Sequence, residues 1–219
     1  MATRPVFLPI ATARAYTREV PVDFTWHAGL SVCQKQKSIA SLHGAARARL
    51  GVQRLLEVSS KSGDELGRRL SAFNLQVALR DGSLTSVESA FQGSKVFSGG
   101  GPFVDLLRAD PRQAKTDPRL KDSGALIRFE FEDYAWPLEP LTAFYDWLYL
   151  SALQRVPELG PQVLAYQGFT DIEFNPERSL NCQARSVALF CSLTKAGLLP
   201  DAVASPGTFI QTVSRVPLV

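Results

Sequence analysis

Three side chains in one short stretch, Glu88, Gln92 and Lys95, have the types and the spacing for acid–base or nucleophilic chemistry. They lie within Ser86-Val-Glu-Ser-Ala-Phe-Gln-Gly-Ser-Lys95, and residues four and seven apart share a helix face. A carboxylate beside an amine can hand a proton to a leaving group. An amine deprived of water becomes nucleophilic, because its ammonium form is disfavoured. Together the two suit cleavage of a glycosidic bond. Val87, Ala90 and Phe91 would give the stripe an apolar flank. The same pattern also fits an ordinary solvent-facing helix side, and spacing alone leaves both readings open.

No other stretch offers a comparable centre. The chain has no phosphate loop, dinucleotide fingerprint or nucleophile elbow. His27 and His43 are the two histidines, too few to support a Ser-His-Asp or Cys-His scheme, and packed or surface roles suit them better. Cys33, Cys182 and Cys191 are scattered and form no CxxC pair, so neither a zinc site nor a disulfide framework is expected. No cofactor is implied. Acid–base work therefore falls to carboxylates and a lysine.

The elements that must position these groups can be read from periodicity. The first 30 or so residues look extended, with β-favouring residues at Val6, Phe7 and from Glu19 to Trp26. Ser38 is the expected cap of a helix running to about Val58, with Ile39, Leu42, Ala46, Leu50, Leu55 and Leu56 on its apolar side. Leu75 to Leu79 reads as a strand, and Asp81-Gly82 as a turn. The helix carrying Glu88 to Lys95 should end before Gly99-Gly100-Gly101, and Pro102 suits the first turn of the next helix. Ile127, Phe129 and Phe131 alternate with charged residues as in a half-buried strand. Pro137 to about Val156 reads as a long aromatic helix. A last helix, capped by Asn181 or Ser179, should run through Lys195 and close at Gly197 and Pro200. The expected class is α+β, a mostly helical single domain with a small antiparallel sheet.

Composition narrows the setting. At 219 residues, 45% hydrophobic and 21% charged, the chain can bury a sizeable core and is not of disordered type. No apolar run approaches the ~18 residues of a membrane span. The first twenty residues, with Arg4, Arg14 and Arg18 around a proline-broken apolar run, read as an early strand rather than a signal peptide. Free cysteines and these absences point to the cytoplasm. The net charge of +3 does not by itself announce nucleic acid. Basic residues do gather at Arg47, Arg49, Arg54, Lys61, Arg68 and Arg69. A second set, Arg108, Arg112, Lys115, Arg119 and Lys121, is interleaved with aspartates; solvated faces are the first reading of both sets, and a phosphate-facing groove is the second.

A resemblance adds to this reading. Ser86-Val87-Glu88, Phe91-Gln92 and Lys95 resemble the [ST]-x-E-x-x-x-Q-x-x-K signature of the NADAR family. Leu70-Ser71-Ala72-Phe73 is similar to its LSNF segment, and Pro111, Ala114 and Arg119 to its P-x-x-A…R stretch. Trp136 stands where the family's tryptophan opens a helix, and Pro157-Glu158-Leu159 closes the corresponding region. Asp171-Ile-Glu-Phe174 resembles D-x-x-W, and Arg185 matches an arginine of the final helix. The order holds from about residue 70 to 197, the NADAR-like core, between an extended segment 1–35 and a tail 200–219. Gln34 to Ser62 looks further like the DarT-associated NADAR antitoxins. The family's histidine after the glutamate is Ser89 here, its LSNF asparagine is Ala72, and its final tryptophan is Phe174.

What the resemblance implies is removal of ADP-ribose from the amino group of guanine in DNA, countering a DarT-type ADP-ribosyltransferase toxin. ADP-ribosylated DNA, and the toxin itself, are the implied partners. Glu88 and Lys95 would be catalytic, and Ser71, Phe73, Gln92, Trp136 and Asp171 would contact substrate. Each supporting residue has a plainer role open to it: core for Trp136 and Phe73, turn or cap for Ser71 and Asp171, an exposed amide for Gln92. The Gly99–Gly101 run either approaches the pyrophosphate or is a loop. Two alternatives in function are an N-glycosidase acting on a nucleotide-like small molecule, and a non-catalytic module binding ADP-ribose or toxin.

Overall fold

A consecutive apolar run at Val6, Phe7 and Leu8 and an alternating one at Val20, Val22 and Phe24 make the chain begin as sheet. In the computed structural model, which describes residues 1–12, 15–177 and 179–214, β1 (Ala2–Thr12) and β2 (Ala15–Phe24) pair antiparallel. Arg14 and the tail beyond Ser214 lie outside the described residues. The chain continues through α1 (Val32–Leu50), β3 (Leu55–Glu57) and α2 (Glu65–Arg69). It then forms β4 (Gln76–Ala78), β5 (Leu84–Ser86), α3 (Val87–Gly93) and β6 (Lys95–Phe97). A 3-10 turn at Val104–Arg108, α4 (Pro111–Thr116) and α5 (Arg119–Asp122) lead into β7 (Leu126–Phe131), β8 (Tyr134–Trp136) and α6 (Ala143–Gln154). The last elements are α7 (Leu159–Val163), β9 (Gly168–Thr170), α8 (Gln183–Lys195), α9 (Leu199–Val203) and α10 (Pro206–Ser214). The fold is α+β, about 43% helical and 21% strand.

These elements form two compact units, residues 1–71 with 157–200, and residues 72–156 with 201–214. In the first, the strands run in the order β2-β1-β9-β3, and β3 pairs with β9 in parallel. This sheet is therefore mixed, and it stands in addition to the small antiparallel sheet that the sequence led one to expect. Val6 and Phe7 are both fully buried, and neighbouring strand residues point to opposite faces, so both faces of β1 are covered. Val6 joins Val22, Phe24, Leu55 and Ile172 in a cluster with Ile39, Leu42 and Ala46 of α1.

Helix α1 starts seven residues before the expected Ser38. Its cap is Ser31, whose hydroxyl accepts from the Gln34 N–H at 3.4 Å. Ser38 sits inside the helix and bonds the His27 backbone instead. The helix stops at Leu50 because Gly51 takes the left-handed conformation at φ 67°, with its N–H on the Arg47 carbonyl. Leu55 and Leu56, expected on the helix, are therefore strand residues. Likewise α8 begins after Cys182, not at Asn181 or Ser179.

In the second unit, β4 and β5 form the hairpin expected around Asp81-Gly82, and β6-β7-β8 form a small antiparallel sheet. Its core is aromatic. Phe91 meets Phe129 and Tyr145 at ring distances of 5.3 and 5.2 Å, and Phe144 meets Phe129 at 4.8 Å. Burying each such ring is worth roughly 1.5–3 kcal/mol. The helix expected from Pro137 begins only at Ala143. Pro102 lies outside the following helical turn, which starts at Val104. Among the described residues, no helix is long and apolar enough to cross a membrane.

Candidate active site

The residues singled out for chemistry sit at the junction of α3 and β6. Ser86 caps α3, its hydroxyl accepting from the Ser89 N–H at 2.9 Å. The two first N–H groups of the helix are taken by backbone: Val87 donates to the Leu75 carbonyl and Glu88 to the Ala72 carbonyl. The segment that resembles LSNF thus anchors the start of α3 through a main-chain atom, which alanine supplies as well as asparagine. Ser89, where the family has histidine, is fully buried and donates to the Ala109 carbonyl at 3.0 Å. It fastens α3 to the chain leading into α4.

Helix α3 ends at Gly93, and Lys95 is the first residue of β6. The sequence expectation of one continuous helix through Lys95 is thus corrected. Ser94 keeps helical dihedrals as the C-cap, so the chain turns once more before extending. The neighbour relation survives. The Gln92 amide nitrogen donates to Glu88 Oε1 at 2.9 Å, and the Lys95 Nζ donates to Gln92 Oε1 at 2.7 Å. Glu88 and Gln92 are buried, 6% and 7% exposed, so they are not a wet helix face. The amide is a spacer. It joins carboxylate and amine in one hydrogen-bonded row without letting them close into a direct ion pair.

That spacing shapes the amine. Burial lowers the Lys95 pKa to about 8, Glu88 pulls it up, and the Lys115 ammonium pushes it further down. The Nζ also lies 4.8 Å above the Phe91 ring. Near neutral pH a useful fraction of Lys95 is the free amine. Lys115, from α4, reaches to 3.7 Å of Glu88 Oε1 and lies 5.2 Å over the half-buried Phe73 ring. Sequence reasoning placed Lys115 among solvated charges and missed it. The one available signal was its position on the stretch resembling P-x-x-A…R.

The glycine run has a defined task. The Gly99 and Gly100 N–H groups are taken by the Ser123 and Phe97 carbonyls, so those two donors serve the loop rather than a pyrophosphate. Gly101 has φ 96°, and a Cβ there would stand 2.4 Å from the Lys95 carbonyl oxygen. Only glycine lets this loop lie against the backbone of Lys95.

Trp136, Ser71 and Asp171 have surroundings of their own. Trp136 does not open a helix but ends β8, and at 1% exposure it is sealed among Tyr134, Phe144 and Trp147. Its ring faces are covered by protein, so the core reading replaces base stacking. Ser71 and Asp171 belong to the first unit. Ser71 is fully buried at the end of α2, with its N–H on the Arg68 carbonyl. Asp171 is 7% exposed and its Oδ1 accepts from the Glu173 N–H at 3.0 Å, which makes a turn.

Asp171 also belongs to a cluster that the sequence did not announce. Glu57 accepts from the Ser59 hydroxyl (2.7 Å), the Ile172 N–H (2.8 Å) and the Thr170 hydroxyl (2.6 Å). Since the single Thr170 proton goes to Glu57, the 2.8 Å contact to His43 requires the His43 Nε2–H to donate. Burial, then Arg47, lowers the His43 pKa to about 4, so the ring is neutral as this chain demands. Burial pushes both carboxyls up, and Glu57 adds repulsion at Asp171. Asp171 is pushed up to about 8, so at neutral pH it holds its proton more firmly than an ordinary carboxyl.

Among curated proteins, none is similar enough to match this chain. At the level of families, residues 2–218 match the description DarT1-associated NADAR antitoxin. With that match over nearly its whole length, and the glutamate, glutamine and lysine of the signature in one hydrogen-bonded row, the chain belongs to the DarT1-associated NADAR antitoxins.

Proposed function

We propose that this protein removes ADP-ribose from guanine bases in DNA, as the antitoxin to a DarT-type ADP-ribosyltransferase, with Glu88 and Lys95 as the catalytic pair. The observation that carries the reading is the Glu88–Gln92–Lys95 row, in which a half-buried amine with its pKa near 8 stands one amide away from a carboxylate. The family supports the antitoxin role.

In the proposed reaction, the neutral Lys95 amine attacks the anomeric carbon of the distal ribose. The bond from that carbon to the guanine amino nitrogen breaks, its electron pair stays on the nitrogen, and the Glu88 carboxylate relays to that nitrogen the proton that the attacking Lys95 amine sheds. Ring opening leaves an imine between Lys95 and the sugar, and water hydrolyses it to free ADP-ribose and the free amine. Glu88, as carboxylate, stabilises the positive charge that develops on the sugar. In the other version of this mechanism Lys95 only lends its charge, and water attacks directly.

Gln92 sets the geometry between the two, and Phe73 forms the ring beneath Lys115. Ser71 and Asp171 enter the proposal as candidate ribose contacts. If they hold the sugar, Ser71→Ala and Asp171→Asn raise KM with little change in kcat.

The test uses oligonucleotides ADP-ribosylated on guanine, with thymine-linked ADP-ribose as the control. Wild-type protein should release ADP-ribose from guanine alone, and Glu88→Gln and Lys95→Ala should fail to do so. Survival of guanine-linked ADP-ribose with the wild type would overturn the reading. Borohydride reduction during turnover traps an adduct on Lys95 if the imine forms, and traps nothing if the lysine acts by charge.

A further inference from the structure

The cluster around Glu88 holds one carboxylate and two amines, and the two amines are unlike. The Lys115 side chain is 54% exposed and reaches its carboxylate from α4, whereas Lys95 is half-buried, bonded to the Gln92 amide and set over the Phe91 ring. Water and the Phe73 ring both favour charge on Lys115, and burial disfavours it on Lys95. The two side chains compete for one counter-ion, since Lys115 and Gln92 both meet Oε1 of Glu88. A carboxylate already paired with a cation has less attraction to offer a second.

Resting on the proposed glycohydrolase reading of this site, we propose that Lys115 is its positioning residue: it carries the cluster's positive charge, pairs with Glu88, and so leaves the Lys95 amine free to react. The direction agrees with the charge balance at Lys95, where Lys115 opposes the pull of Glu88. Asp110, which caps α4, bonds the Arg112 and Gln113 N–H groups, so the helix that presents Lys115 is held independently of Glu88. Phe73 fixes the height of the ammonium. This gives the segment resembling LSNF a second use beside its backbone hold on α3.

The experiment reads Lys95 directly and needs no substrate. The full-length protein is pulse-labelled with acetic anhydride from pH 6 to 11, and acetylation of the Lys95 peptide is followed by mass spectrometry in wild type, Lys115→Met, Lys115→Gln and Lys115→Arg. Wild-type labelling should have its midpoint near 8. Lys115→Met and Lys115→Gln should move it upward, toward an ordinary lysine, while Lys115→Arg keeps it at the wild-type position. A midpoint in Lys115→Met equal to that of wild type overturns the proposal, as does an equal shift in Lys115→Arg. Thermal unfolding of each variant confirms that folded protein is being labelled.

A second arm measures ADP-ribose release from guanine-modified DNA. Lys115→Met should lose about tenfold in rate at pH 7 for each unit its Lys95 midpoint rises, and recover above that midpoint. A Lys115→Met rate that stays depressed at every pH would contradict a role exercised through Lys95. Wild-type protein that releases nothing defeats the glycohydrolase reading alone, because the labelling midpoint still decides the part played by Lys115.

Discussion

Two groups of buried ionisable residues in this protein meet the same cost with opposite results. In the α3–β6 row, an amine is half-buried beside a carboxylate and a second cation, and it is the amine whose hold on its proton is weakened. In the Glu57–Thr170–His43 chain with Asp171, two carboxyls are buried among hydroxyls, an amide and a neutral imidazole, with no ion pair to a lysine or arginine among the described residues, and it is a carboxyl that keeps a proton. Burial alone therefore does not mark a reactive centre. What distinguishes the first group is that an exposed side chain, Lys115, carries the charge, so the sheltered neighbour is free to change state. The second group is closed, with Glu57 2% exposed and its oxygens holding Ser59, Thr170 and Ile172. Its protonation acts on stability.

That contrast can be broken at several points. The largest effect is expected in the first group, where Lys95→Ala and Glu88→Gln should each lower ADP-ribose release by about 10²–10⁴-fold. Neither should lower the melting temperature, and Lys95→Met should raise it, because a methionine removes a partly desolvated amine. A strong loss of stability in Lys95→Met would make Lys95 a structural residue. Next, Gly101→Ala puts a Cβ against the Lys95 carbonyl at a φ of 96° and should cost about 1–3 kcal/mol in denaturant unfolding. It should also slow turnover, since the displaced atoms belong to Lys95 and Val96.

In the second group, Thr170→Val leaves Glu57 and His43 each short of a partner and should destabilise by about 1–3 kcal/mol in urea unfolding. The smallest effect separates the groups by pH. Asp171 has its pKa raised in the fold, so the stability tied to its proton is complete below the ordinary carboxylate pKa of about 3.9 and is lost as pH rises through the folded value. Asp171→Asn, which mimics the protonated form, should thus gain on wild type at pH 8 relative to pH 4 in thermal unfolding. An equal difference at both pH values would mean that Asp171 is ionised in the fold.

The parts of this picture that were legible from sequence are local ones. Glu88 and Gln92 are four apart on a helix that Ser86 caps, so their contact follows from helical geometry. The row reaches Lys95 although the helix stops at Gly93, because the cap residue continues the turn. The Ser31-x-x-Gln34 pattern was a readable helix start, and the choice of Ser38 overlooked it. Trp136 was legible as an aromatic but not as core, since the rings around it come from Phe144 and Trp147 as well as adjacent Tyr134. Glu57 was invisible: it sits in an apolar run that read as helix, and Thr170 and Ile172 lie more than a hundred residues away. Lys115 was hidden for the same reason at shorter range, a cation within a run of charges whose partner belongs to another element.

The central claim is that the Glu88–Gln92–Lys95 row is an active centre working through a free amine. Its most direct test is the single-turnover rate of ADP-ribose release from guanine-modified DNA between pH 6 and 9.5, in wild type and Lys95→Ala. The account predicts a wild-type rate that climbs with pH and levels off above about 8, and no measurable release by Lys95→Ala. A flat wild-type profile, or release by Lys95→Ala at the wild-type rate, would contradict it.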